Sequence, residues 1–312
     1  MSAAPPLAVH RFTAFGGARC EVLARGCTDA DVSAAVAEVY AFEARLTRFD
    51  PGSELSRLNA AAGARTAISP LLEELLRVTL DAFELSDGAV NAAVLPALVA
   101  AGYDRTIAAV RGRPVRGAPP AAVAVPPLDA VLEVGEGWAR LRPGAAVDLG
   151  GVGKGWLADR LAERLENATV NLGGDLRALG AGPEGDGWRV GLCDGSAVRV
   201  VDAGIATSGR AGRSWAGGHH LVDPRTGRPA TAAPGAVSVV ASDALRAEVL
   251  AKLVAIRGLA EGVPVALARG AARITSVSAL DADAPDAEGA SPRRSAPAAP
   301  TAVPPLPLEN VA

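Results

Sequence analysis

Cysteine and lysine are scarce in this 312-residue chain, with three of the first and two of the second. Cys20, Cys27 and Cys193 are odd in number, scattered and without a CxxC pair, which excludes a disulfide framework and a zinc ribbon. Aromatic residues make up only 4%, and no apolar run approaches the roughly 18 residues that a membrane-spanning helix needs. The opening MSAAPPLAVHRF lacks a basic segment followed by an apolar one, so no secretory signal is expected and the expected location is the cytoplasm. A formal net charge of −3 offers no positive surplus for a nucleic-acid backbone. What is present, 49% hydrophobic and 21% charged residues, suits a globular chain. Of the 31 basic residues all but Lys154 and Lys252 are arginine, and that bias singles out the two exceptions.

Hydrophobic patterning predicts a mixture of strands and helices that does not alternate strictly, so the fold class is read as α+β with mixed or antiparallel strands. Two strands are expected within 8–25 around Gly16-Gly17, then a helix from Thr28 to Thr47 with Val32, Val36, Tyr40 and Leu46 inward. Ser69 and Pro70 mark the start of a second helix. Residues 104–125 read as an irregular connection. Strands are expected at Ala130–Val134, Trp138–Leu141 and Ala145–Leu149, and a helix over Gly155–Glu166. Further strands fall at Thr169–Leu172, Leu176–Leu179 paired near Trp188–Cys193, Val198–Val201, Ile205–Ser208 and Val237–Ala241. A helix over 243–256 follows. Residues 1–280 are expected to form one domain and 281–312, rich in Ala and Pro, a disordered tail.

Four segments carry side chains suited to chemistry. In Val147-Asp148-Leu149-Gly150-Gly151-Val152-Gly153-Lys154-Gly155 a strand ends at an acid, glycines let a ligand approach the backbone, and a helix starts beside a lysine. Backbone N–H groups at a helix start together with an ammonium suit a phosphate. The Walker pattern fails, because Asp148 and Gly155 stand where it needs Gly and Ser/Thr. Alone, the segment reads equally as a tight strand-to-helix turn. Adjacent histidines at 219 and 220 precede Asp223-Pro224, and only one of two neighbours on a strand can enter a given site. Ser53-Glu54-Leu55-Ser56 reads as a capped polar turn, and Ser86–Asn91 as a helix end.

Taken in order, these segments resemble the FAD:protein FMN transferase (ApbE) family. The matching stretches are FDPGSELSRLN, SDGAVNAAVLPAL, VDLGGVGKGWLADRLAERL, TVNLGGDLRALG, IATSG, HHLVDPRTGRP and RAEVLAKLVA, spanning roughly residues 40–275. The resemblance implies a magnesium-dependent enzyme that cleaves the diphosphate of FAD and passes FMN to a Thr or Ser hydroxyl in the flavinylation motif of an acceptor flavoprotein, releasing AMP. It leaves two alternatives open: an FAD diphosphatase, and an FAD-binding protein without catalysis. Carried over by position, it implies FAD contacts from Phe49, the Ala89-Val90-Asn91 segment, Asp148, Lys154 and Ser208. His220 and Asp223 become the candidate catalytic residues, and Gly151 with Glu248 the metal position. The chain departs from the family at Lys252, which stands where the family has a threonine ligand four residues after an aspartate. Three readings follow for Lys252. It turns away from a weakened metal site, it replaces the cation, or it forms a solvent-side i, i+4 pair with Glu248. Asn91-Ala92 is a second departure, where the family usually has Asp-Pro.

Overall fold

A computed structural model of the chain describes residues 6–278 apart from 62, 114–121, 211, 216 and 217, so the expected tail at 281–312 lies outside the described residues. Seven antiparallel strands lie side by side in sequence order: β1 (Leu7–Ala14), β2 (Ala18–Arg25), β3 (Ala168–Leu172), β4 (Asp175–Leu179), β5 (Ala203–Ser208), β6 (Ala236–Ala241) and β7 (Arg273–Val277). The β1–β2 turn places Phe15, Gly16 and Gly17 at positive φ, which the two glycines tolerate without strain. Among the described residues six helices of seven or more residues interrupt this meander: α1 (Asp29–Leu46), α2 (Glu54–Ala60), α3 (Pro70–Leu85), α4 (Gly153–Leu165), α5 (Ala244–Arg257) and α6 (Leu259–Ala268).

Helix α1 begins at a capping box between Thr28 and Asp31, and buries Val32, Ala35, Val36, Val39, Phe42 and Leu46 on one stripe. Tyr40, expected on that stripe, is 46% exposed because it falls one residue beyond Val39 and turns outward. Helix α3 starts as expected, with the Ser69 hydroxyl accepting the Leu72 N–H and Pro70 in the first turn. The capped polar turn expected at Ser53 opens a helix: the Ser53 hydroxyl accepts the Ser56 N–H at the start of α2.

Side-chain alternation on the strands sorts the two faces of the sheet. On β4, Leu176 and Ala178 join Trp188, Val200, Ala203 and Ile205 in one apolar cluster, beneath a ribbon formed by Trp188–Gly191 and Ala197–Val200. That ribbon pairs with itself and not with β4, whose ladder partners are β3 and β5. Asp175 and Arg177, out of phase by one, face α4 and α5. Gly204 lets the start of α5 lie directly on β5: a Cβ there would come within 2.0 Å of the Asp243 carbonyl carbon.

Three local expectations are corrected. Residues 107–111 form a short helix within the segment read as irregular. A helical turn at Leu128–Val131 delays the next strand to Leu132–Gly135, since Pro127 fits a helix start better than a ladder. Among the described residues the Ala145–Leu149 segment has no strand partner. The Asn59 side-chain amide takes the place of a ladder, donating to the Val147 carbonyl at 2.9 Å and accepting the Val147 N–H at 2.8 Å.

Candidate functional site

Helix α4 starts two residues earlier than its pattern suggests, so Lys154 lies inside its first turn. The turn before it is fixed from several directions. Asp148 pairs with the Nε of Arg48 at 2.9 Å and accepts the Gly150 N–H at 2.8 Å, while its own N–H donates to the Ala92 carbonyl. Its carboxylate is thereby engaged in holding the turn. Arg48 in turn lies over the rings of Phe49 and Tyr103, 4.2 and 4.5 Å from their centroids, and Tyr103 stacks on Trp215.

Helices α4 and α5 touch at Gly155. A Cβ there would stand 2.7 Å from the Ala244 carbonyl oxygen and 2.8 Å from the Leu245 Cα. Asp159, one turn further along α4, accepts the N–H groups of Ala244 and Leu245 and so fastens the start of α5 to it. This contact brings four charged side chains together. Lys154 Nζ donates to Asp175 and, at 2.8 Å, to Glu248 Oε1. Lys252 Nζ donates to the same Oε1 at 2.7 Å, and the Gly155 N–H to Oε2 at 2.8 Å. The chain's two lysines therefore converge on one carboxylate oxygen. Glu248 is 0% and Lys252 9% exposed, which overturns the solvent-side reading of that pair. Burial works against charge on all four groups. The two ammonium groups nonetheless outweigh it at Glu248, holding the carboxyl down to about 2, and Asp175 and Glu248 outweigh it at Lys154, whose ammonium is held firmly.

Two cavities adjoin at this turn. One, of about 660 Å³, is lined by Ala89, Val90, Asn91, Gly151, His220 and Lys252, among others. The second, of about 810 Å³, is lined by Phe15, Phe42, Phe49, Gly153 and Lys154. Asp148, Gly150, Tyr103 and Arg213 line both. One lysine thus reaches the turn from each side. Both are largely apolar with a few convergent polar groups.

The neighbouring histidines separate as alternation requires. His219 accepts the Leu221 N–H at Nδ1 and lies 3.1 Å from the Ala230 carbonyl through Nε2, so both nitrogens serve the loop. His220 lines the first cavity, with Nδ1 3.2 Å from the Arg213 carbonyl. A carbonyl only accepts, so Nδ1 carries the proton and Nε2 of the neutral ring is left as an acceptor. Burial, followed by the charges of Arg213 and Lys252, pushes the imidazole pKa well below 6.5.

Other candidates stand apart. Asp223 is buried outside both cavities, and its carboxylate accepts the backbone N–H and guanidinium of Arg225, which continues to Glu261 on α6. Ser208 is buried at the end of β5 and lines neither cavity. Asn91 lines the first cavity, but its side chain donates to the Pro126 carbonyl and accepts the Ala93 N–H. Sequence reasoning missed Asn59, Asp175, Arg48, Tyr103 and Arg213. Asp175 and Asn59 sit inside quoted motifs, whereas Arg48, Tyr103 and Arg213 carry no local signal.

The fit of a divalent cation to Gly151, Glu248 and Lys252 follows from the donor set. Both Glu248 oxygens already accept N–H donors, and among the described residues no group of three or more His, Cys, Asp or Glu side chains could hold a metal ion. A magnesium ion on Oε1 would sit at about 2.1 Å, hence within about 5 Å of both ammonium groups. Repulsion at that distance is of the order of 7 kcal/mol per ammonium at an effective dielectric of about 20. These residues do not fit a divalent ion.

A family model for the ApbE family matches residues 17–274. The chain is 31% identical over 277 residues to the FAD:protein FMN transferase of Treponema pallidum, covering 71% of each. A Klebsiella pneumoniae protein of the same name is 30% identical over 141 residues, which span 39% of this chain and 42% of that relative. Among solved structures, the flavinyl transferase ApbE of Pseudomonas stutzeri superposes with a TM-score of 0.74 at 21% identity, over 89% of this chain and 97% of that one. The Thermotoga maritima ApbE protein gives 0.72 at 20% identity, over 88% and 98%. The α+β fold is that of these proteins.

Proposed function

The chain belongs to the ApbE family, and from that premise we propose that it is an FAD:protein FMN transferase acting on a Thr or Ser of an acceptor flavoprotein. The observation that carries this reading is the pair of cavities meeting at the 148–154 turn. A dinucleotide laid across them has one nucleoside half in each and its diphosphate at the turn, between Lys154, Lys252 and Arg213. Phe49, 37% exposed at the rim of the second cavity, offers a ring face for stacking. The backbone of Ala89-Val90-Asn91 and the Gly150–Gly153 segment line the approach.

Phosphoryl transfer demands positioning and charge neutralisation more than covalent help. The acceptor hydroxyl oxygen attacks the FMN phosphorus, the bond to the AMP oxygen breaks, and AMP leaves as the anion. The hydroxyl proton passes to Nε2 of His220. Lys154, Lys252 and Arg213 neutralise the phosphates as charge moves to the leaving group. Asp223 serves by fixing the turn after His220. The expected one-domain extent of residues 1–280 belongs to the same proposal and is supported by the match over 17–274. So does the cytoplasmic location, with all three cysteines unpaired and the Cys20 thiol pushed up to about 11 by burial. Among the described residues no helix is long and apolar enough to cross a membrane.

Incubation with FAD and an acceptor domain tests the reading by intact mass: a gain of one FMN moiety on a Thr or Ser with equimolar AMP is expected. AMP without acceptor modification would point to a diphosphatase, and bound FAD with no AMP to a binding protein. His220→Gln is expected to lower the transfer rate by roughly 10²- to 10⁴-fold while FAD affinity changes little. A base is active when deprotonated, so activity is retained above the lowered His220 pKa and lost as pH falls through it. The rate should therefore hold from about pH 8 down to about 6.5, a profile that rate measurements across pH will check.

A further inference from the structure

We infer that Lys252 takes the place of a divalent cation at the FAD diphosphate, so that dinucleotide binding and FMN transfer by this chain need no magnesium. The inference rests on the transferase reading above and concerns how that site balances charge. Lys252 projects from α5 alongside the 148–154 turn, its Cδ 3.9 Å from where a Cβ on Gly151 would stand, and its Nζ reaches Glu248 Oε1. The side chain thus passes Gly151 and ends on Glu248, the two residues that the family resemblance assigns to a metal. Two ammonium groups face two carboxylates in the cluster of Lys154, Asp175, Glu248 and Lys252, so the protein side is neutral before any ion arrives. With a threonine at 252 it would carry one negative charge, the condition that calls for a cation. Lysine is suited to this place: a compact ammonium on a flexible stem can keep one hydrogen on Glu248 and turn the others to a phosphate oxygen. Arginine, which the chain uses almost everywhere else, presents a planar fork too broad for a carboxylate oxygen that Lys154 already occupies.

Titrating FAD into the full chain by calorimetry, in excess EDTA and again in millimolar magnesium, tests the inference on the protein as it stands. Affinities within about twofold of each other are expected, and FMN transfer to an acceptor in EDTA at a similar rate. Binding at least about tenfold tighter with magnesium would overturn the lysine assignment while leaving the transferase reading intact. No FAD binding in either buffer would overturn both. Lys252→Met should weaken FAD at least about tenfold, leave riboflavin binding unchanged, and not be rescued by magnesium. Equal loss for riboflavin, which has no phosphate, would reduce Lys252 to a packing role and contradict the inference. The double variant Glu248→Asp, Lys252→Thr should acquire magnesium-dependent FAD binding, and indifference to magnesium there would also count against it.

Discussion

Lys154→Met is expected to destabilise the protein by about 3–5 kcal/mol and to weaken FAD binding by roughly 10- to 100-fold. The two effects share one cause. Lys154 is the direct partner of Asp175, and its loss strands a carboxylate that is 2% exposed beneath α4 and α5. Glu248 keeps Lys252 and the Gly155 N–H, so the damage centres on Asp175. Methionine fills a similar volume and supplies no charge, which separates electrostatics from packing. Adding Asp175→Asn removes the stranded charge, so the double variant should regain much of the stability measured by urea unfolding. FAD affinity should stay low, because the ammonium at the diphosphate is still missing. Recovery of both together would mean that Lys154 acts on FAD only through the fold.

The second large effect is expected at Gly155. An alanine there meets the Ala244 carbonyl and the Leu245 Cα, both backbone atoms of the helix that carries Glu248 and Lys252. Neither can swing aside as a side chain would, so α5 must shift bodily. Overpacking of this kind costs about 1–3 kcal/mol for one methyl group, and valine should cost more. For alanine the melting temperature should drop by roughly 3–10 °C. Because the Gly155 N–H also donates to Glu248 Oε2, the displacement pulls on the charged cluster, and FAD affinity should fall with stability. A Gly155→Ala protein with unchanged melting temperature would show that α4 and α5 do not approach as closely as described.

The contrast between these two positions shows what the sequence could convey. Features with their own local chemistry were legible: the helix start at Thr28, the cap and proline at Ser69-Pro70, and the hairpin at Gly16-Gly17 all depend on neighbours a few residues away. The Ala145–Leu149 segment misled because its apolar pattern is that of a strand, while its hydrogen bonds go to Asn59, 88 residues earlier. The site divides along the same line. Lys154 and the glycines around it could be read locally as an anion turn. The meeting of Lys154 with Asp175 and Glu248, 21 and 94 residues away, exists only because α4 crosses α5 at a glycine. For Lys252 the sequence left three readings. Burial removed one, and the donors already on Glu248 argue against a second. Arg48, Tyr103 and Arg213 could not be found locally, since each gains its place by reaching a segment distant in sequence, Arg213 by donating to the Phe15 carbonyl.

A crystal structure of the full chain with FAD measures directly where the dinucleotide lies. It should show the diphosphate at the 148–154 turn, within hydrogen-bonding distance of Lys154 Nζ and Lys252 Nζ, with one nucleoside half in each cavity. A dinucleotide folded into a single cavity, or phosphates away from both lysines, would contradict it.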